Sequence, residues 1–331
     1  MDWGPLFTNS LEAAIGPVAI TYCLAAIGLN IHFGYTGLLN FGQAAFMAIG
    51  GYGLGAAVVT FGVPFVLALL IGFGGTAVLA VLLGLPTLRL RTDYLAITTL
   101  AAAEIIRQVL GSLTLEPWLG GKDGRQGFAA TVRDLNPFSG PVDLGIVGFR
   151  PFDAWVILIG WLAIALSCLV VWLLMRSPWG RVLKGIREDE DAVRALGKNV
   201  YGYKMQALML GGLFGCVAGF MMGVSRSSVV PDNFQTDLTF FAFCVLLLGG
   251  AARVFGPVVG AILLWGMLNV LGNFFGQATS GPNPIIPTWI MDSNQSSLVR
   301  FIVLGIALML LMIYRPQGIF GDKRELAIHA R

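Results

Sequence analysis

Long apolar runs separated by short polar interruptions set the pattern of this chain. The clearest run lies between Asp153 and Arg176, where 22 consecutive residues carry no charge and nearly all are Trp, Val, Ile, Leu, Ala, Met or Cys. As a helix rising about 1.5 Å per residue it covers roughly 30 Å, the thickness of a bilayer's hydrocarbon core. In order, the runs predict about nine such helices: Ala13–His32, Ala44–Val59, Pro64–Leu85, Tyr94–Leu110, Ala154–Met175, Met205–Val224, Leu238–Ala252, Pro257–Phe274 and Ser297–Tyr314. Between the first two, Phe33–Gln43 (FGYTGLLNFGQ) breaks the pattern with three glycines and two polar amides. Irregular backbone is tolerated at membrane depth only inside protein or beside a cavity, so the segment reads as a re-entrant turn or an unwound helix junction. The count then ranges over about eight to ten spans, and the fold class expected is an all-α polytopic transmembrane bundle.

Composition narrows the class. The chain is 56% hydrophobic and only 12% charged, against about 25% charged in soluble domains. Its 44 glycines among 331 residues suit helices that approach closely, because lipid supplies no hydrophobic drive between helices. Cys23, Cys168, Cys216 and Cys244 all lie in apolar segments, with neither metal-site nor disulfide spacing, and read as packing residues. His32 and His329 are too far apart in the sequence to suggest a metal centre, and His32 reads as a boundary residue closing the first span. The first twelve residues carry Asp2 and Glu12 but no Lys or Arg, so no cleavable signal peptide is expected. No nucleic-acid partner is expected either.

Basic residues orient the spans. Arg176, Arg181, Lys184, Arg187, Arg194, Lys198 and Lys204 crowd one loop, and Arg315, Lys323, Arg324 and Arg331 the C-terminal tail. Four predicted spans separate the two regions, so both can face the cytoplasm, together with Arg89 and Arg91. The chain then reads as a single transmembrane domain over 1–331. It has an extracytoplasmic region at 111–153, a cytoplasmic loop at 176–204, a cytoplasmic tail at 315–331 and an outside N-terminus.

The cytoplasmic loop SPWGRVLKGIREDEDAVRALGKNVYGYK (177–204) has its own pattern. Leu183, Ile186, Val193 and Leu196 recur at helical spacing opposite Arg187, Glu188, Asp189, Glu190 and Asp191, and Gly197 suits a helix C-terminus. One or two short amphipathic helices result, which need something to pack against because short helices are marginal in water.

This loop, with GLNIHFGYTGLLNFGQAAFMAIGGY (28–52) and LRLRTDYLAITTLAAAEIIRQVL (88–110), closely resembles the LivM-type permease family of branched-chain amino acid ABC importers. VLLLGGAARVFGPVVGA and YRPQGIFG add to the likeness, which covers nearly the whole chain. The resemblance implies that the loop is the coupling element seated on a cytoplasmic ATPase, with Glu190, Ala192 and Gly197 matching the family's acid, alanine and glycine. Arg187, Glu188 and Asp189 would add polar contacts. It also implies a homologous second permease, two ATPase subunits and an extracytoplasmic binding protein, in a bacterial cytoplasmic (inner) membrane. The chain has no G-x-x-x-x-G-K-[ST] phosphate loop, so ATP is expected to be used by the partners, with no cofactor bound here and no enzymatic site.

Two regions are candidates for the translocation path. In the first, Tyr35, Thr36, Asn40 and Gln43 interrupt apolar sequence, either to present polar groups to a substrate or to satisfy a structural kink. The second is Glu104, three residues before Arg107 on one helical face, where an interhelical clamp competes with a substrate contact. Asp93 with Arg89 and Arg91 reads as an anchor at the inner interface. In LGGKDGRQGF (119–128) the family's glycine turn is matched by Gly120, Gly121 and Gly124, while Leu119 stands where the family has threonine. The added charges Lys122, Asp123 and Arg125 suggest a contact with the binding protein. Branched-chain amino acids are the expected substrates, and urea or short amides are the alternative. An ion-coupled secondary transporter is a different class with little support among buried acids.

Overall fold

The structure is a computed structural model that describes residues 3–90, 92–143, 148–280, 293–315 and 317–321. The basic positions Arg91, Lys323, Arg324 and Arg331, and His329, fall outside the described residues, as does most of the expected tail. The chain opens with α1 (Trp3–Ile15) and α2 (Pro17–Leu29), then a π-helical turn (Asn30–Tyr35), α3 (Gln43–Val59), α4 (Phe65–Thr87) and α5 (Thr92–Leu110). A loop region holds α6 (Glu116–Leu119), β1 (Arg125–Gln126), α7 (Ala130–Asp134), β2 (Val142–Asp143) and β3 (Gly148–Phe149). Then come α8 (Pro151–Arg176), α9 (Pro178–Glu188), α10 (Glu190–Ala195), α11 (Val200–Arg226) and β4 (Ser228–Val229). The chain ends with α12 (Thr236–Gly249), α13 (Gly256–Ser280) and α14 (Ser293–Tyr314).

The molecule is an all-α polytopic membrane bundle, decorated among the described residues by the antiparallel pairs β1–β4 and β2–β3. Among the described residues five helical stretches are long and apolar enough to cross a bilayer. A sixth is added if α5 and the short helices to Leu119, bent by 52°, form one span. Each of the nine apolar runs coincides with a helix, but the first is not one helix. Gly16 is extended (φ −73°, ψ 176°) and Pro17 opens α2, where the missing N–H of proline costs nothing.

Burial follows the membrane's logic. On α8, Leu158, Leu162, Leu166, Leu169 and Leu173 face outward at near-fourfold spacing, while Val156, Gly160, Ile164, Val171 and Met175 face the bundle. α11 lies at the centre, packed on α2, α3 and α4, with Gly211, Gly215 and Gly219 at every fourth position closing on the α2–α3 side and Gly223 on Phe128 and Val229. A Cβ at Gly211 would stand 2.2 Å from His32 Nε2, and one at Gly219 2.0 Å from the Met47 carbonyl oxygen. Neither gap admits a methyl group, so the glycines set the helix–helix distance.

Candidate functional site

The segment between α2 and α3 is an unwound junction. Residues 37–42 form no regular element, Gly37 lies at φ +75°, and the Leu38 N–H donates back to the His32 carbonyl (2.8 Å). A π turn widens the helix just before it, a device that recurs where helices serve function. The freed polar groups are buried, and most find backbone partners. Asn40 Oδ1 accepts from the Gly42 N–H (2.8 Å), and its Nδ2 donates to His32 Nδ1 (3.1 Å). His32 Nε2 donates to the Leu208 carbonyl on α11 (3.1 Å), which assigns the Nε2–H tautomer because a carbonyl only accepts. Thr36 Oγ1 donates to the Ile31 carbonyl, and Gln43 Nε2 to the carbonyls of Ala25 and Gly211. Gln43 Oε1 is buried without a partner among the described residues. His32 is therefore no boundary residue: it is fully enclosed at the centre of the junction.

Three further residues complete the junction, and sequence reading passed over them. Asn30 binds the α12–α13 turn at both ends of its amide, accepting from the Ala252 N–H and donating to the Arg253 carbonyl (2.8 Å each). Ala252 lies at φ +59°, a left-handed conformation uncommon for alanine. Thr99 of α5 caps the Phe41 N–H and Thr239 of α12 the Ala44 N–H (3.0 Å each). An isolated Asn in an apolar run was the only hint, and the threonines look like ordinary span residues. Phe33, Phe41, Phe240 and Phe243 close the remaining side as a stack with ring centroids 4.8–5.9 Å apart. The stack reaches the surface at Phe240.

The expected amphipathic element is two helices, α9 and α10, with Leu183 and Ile186 buried and Val193 half-buried. Asp189 separates them as the N-cap of α10, its Oδ1 accepting from the N–H groups of Asp191 and Ala192 (3.0 Å each). Gly197 (φ +75°) ends α10 in a Schellman motif, with Gly197 N–H to the Arg194 carbonyl and Lys198 N–H to the Val193 carbonyl. Glu190 is held by Arg194 (2.8 Å) and by Lys204 of α11. Glu188 and Leu196 are exposed, Leu196 at 78%, so Leu196 makes little use of its own bundle. Arg187 departs from the solvent-facing role: its Nη1 donates to the Gly34 carbonyl (2.6 Å), one of those freed by the junction. The coupling candidate thus contacts the path candidate directly.

Glu104 lies elsewhere. Arg107 grips it through two bonds (Nε–Oε2 2.9 Å, Nη2–Oε1 2.6 Å) and reaches Asp232, beyond α11, through Nη1 (2.8 Å). This is the clamp geometry, near the opposite end of α5 from α9 and α10. The glycine turn packs nearby: a Cβ at Gly124 (φ +67°) would stand 1.9 Å from the Val229 carbonyl oxygen, which explains the glycine. Arg125 folds back on its own loop, donating to the Pro117 carbonyl (2.5 Å), while Lys122 and Asp123 point outward. Arg89 stacks over the Tyr201 ring (5.8 Å), and exposed Asp93 has no ion-pair partner among the described residues. No group of three or more His, Cys, Asp or Glu able to hold a metal occurs among the described residues.

Comparison with known proteins matches residues 14–313 to the family described as "Branched-chain amino acid transport system / permease component". The chain is 31% identical over 335 residues to the high-affinity branched-chain amino acid transport system permease protein LivM of Escherichia coli (strain K12), covering 97% of this chain and 72% of the relative. It is 25% identical to the probable branched-chain amino acid transport permease protein LivM of Methanocaldococcus jannaschii, covering 91% of each. Among solved structures, PsaBC from Streptococcus pneumoniae in complex with Fab aligns at TM-score 0.43 and 14% identity.

Proposed function

Because the chain belongs to the branched-chain amino acid transport system permease family, we propose that it is a membrane-spanning permease subunit of an ATP-driven importer of branched-chain amino acids. It pairs with a homologous second permease, two cytoplasmic ATPases and an extracytoplasmic binding protein in the cytoplasmic membrane. The loop at 176–204 and the C-terminal tail face the cytoplasm, and 111–153 faces outward, as the basic residues favour.

The observation that carries the coupling mechanism is the Arg187–Gly34 hydrogen bond. α9 and α10 present Glu188 and Leu196 to an ATPase, and closure of the ATPase pair shifts α9. Arg187 passes that shift to the Gly34 carbonyl, and the junction, which lacks helical bonds over 38–42, is the part of the bundle able to yield. Asn30 carries the same movement to the α12–α13 turn. Tyr35, Thr36, Asn40 and Gln43 shape the wall of the path rather than all contacting substrate. Buried Gln43 Oε1, an acceptor with no donor among the described residues, is the group among them best suited to a substrate ammonium.

Uptake into proteoliposomes containing the full complex tests this reading. Leucine uptake should require ATP and the binding protein and persist when ion gradients are collapsed; uptake without ATP would overturn it. Arg187→Gln should lower uptake about tenfold, the worth of one charge-assisted hydrogen bond, with the ATPases still co-purifying. Normal uptake in this variant would remove the proposed linkage while leaving the family assignment intact.

A further inference from the structure

An apolar groove between α8 and the start of α13 opens into a basic hollow at the end of α8. The groove, about 480 Å³, is lined by Trp161, Ala165, Cys168 and Leu169 of α8 and by Phe255 and Val258 around the start of α13. Trp172 and Phe255 also line the adjoining hollow of about 590 Å³, so the two are continuous. Arg176, Lys184 and Arg253 line that hollow, and among the described residues no carboxylate does. The Arg176 guanidinium lies 3.9 Å over the Trp172 ring, and Lys184 Nζ 5.9 Å from the Tyr35 ring centroid. Neither Arg176 nor Lys184 has an ion-pair partner among the described residues.

Position and chemistry agree. Arg176 ends the long apolar helix, with Trp172 one turn earlier, the aromatic–basic sequence found where a span leaves the hydrocarbon. The hollow therefore sits at headgroup depth and the groove at acyl-chain depth. A planar guanidinium binds two phosphate oxygens at once, a nearby ammonium adds a point charge, and stacking on aromatic rings limits the order each must lose. We infer that this is a binding site for one anionic diacyl phospholipid, its phosphate on Arg176 and Lys184 and one acyl chain along the groove. Lys184 belongs to α9 and lies three residues before Arg187, so the bound headgroup ties α9 to α8 beside the Arg187–Gly34 contact.

Native mass spectrometry of the assembled complex in neutral detergent, titrated with phosphatidylglycerol or phosphatidylcholine, tests the site. Phosphatidylglycerol should bind about tenfold more tightly, and the Arg176→Gln/Lys184→Gln double variant should abolish that preference. Ala165→Trp, which fills the groove, should weaken both lipids equally, and it gives a readout even if the double variant fails to assemble. Free glycerol phosphate should not compete at matched concentrations. Equal binding of the two lipids to the unaltered complex, unchanged preference in the double variant, or unchanged binding in Ala165→Trp would overturn the inference. So would a photo-crosslinker at Leu169 that captures the second permease instead of lipid.

Discussion

At the α9 end of the bundle, polar side chains are buried and bonded to backbone, whereas at the far end of α5 charged side chains pair with one another in partial contact with solvent. Asn30, His32, Asn40 and Gln43 are each no more than 1% exposed, while Asp232, which completes the Arg107 clamp, is 72% exposed at its side chain. The junction has given up helical hydrogen bonds and replaced them with specific side chains, so removing one leaves a desolvated donor or acceptor. The clamp holds together elements that are already regular, and water takes over when a partner is removed. The first end is built to be costly to alter, the second to be adjustable.

The largest effect is therefore expected at Asn30. Asn30→Leu keeps the side chain's approximate volume but strands the buried N–H of left-handed Ala252, while the Arg253 carbonyl keeps the Gly256 N–H as a donor. One buried unsatisfied donor predicts a loss of about 1–3 kcal/mol. Thermal unfolding of the purified complex checks this, and a change below that for a clamp variant would erase the contrast between the ends.

Within α10 the contrast can be sharpened. Glu190→Arg places a third cation beside Arg194 and Lys204, and Gly197→Pro removes an N–H from the Schellman turn at a φ that proline cannot adopt. Both should lower assembly and uptake, but by disturbing α10 itself. Leu196→Asp touches little of its own bundle and tests docking alone. Co-purification of the ATPases should fall about tenfold, as for a buried apolar anchor, with the thermal midpoint of the isolated permease unchanged. Wild-type assembly in Leu196→Asp would deny this face its partner.

What the sequence disclosed and what it hid follow the same division. Period and polarity placed each of the nine apolar runs on a helix but missed α1 before Ala13 and the short α6 and α7, and the glycines and amides of 33–43 marked the junction, because those signals are local. The partners in the junction were not legible: Asn30 meets Ala252 and Arg253, 222 and 223 residues away, and Arg187 meets Gly34 across 153. Arg187 looked solvent-facing because helical periodicity ranks charge as exposed, with no means of seeing an open carbonyl within reach. Its i,i+3 spacing made the Glu104–Arg107 pair readable, whereas the third member, Asp232, comes from a distant turn. Asp189 likewise looked like a partner contact, although an acid beside the start of a short helix is already the signature of a cap.

The smallest effect belongs to the exposed turn. Lys122 and Asp123 point outward, and Arg125 is occupied by carbonyls of its own loop, so a charge change at Lys122 leaves the fold untouched. If this turn meets the binding protein, Lys122→Glu should act mainly on the rate of encounter, because rim charges steer approach more than they hold a complex. At low salt the association rate should change severalfold, and the difference should vanish near physiological ionic strength, where the screening length is about 8 Å. Surface plasmon resonance with the complex in nanodiscs across a salt series reads both quantities. A salt-independent loss of affinity would instead mean that Lys122 is buried in the contact, and identical rates at every salt concentration would place the binding protein elsewhere. Glu104→Gln sets the reference for the clamp: its partly exposed carboxylate should contribute less than about 1 kcal/mol to stability and leave association unaffected.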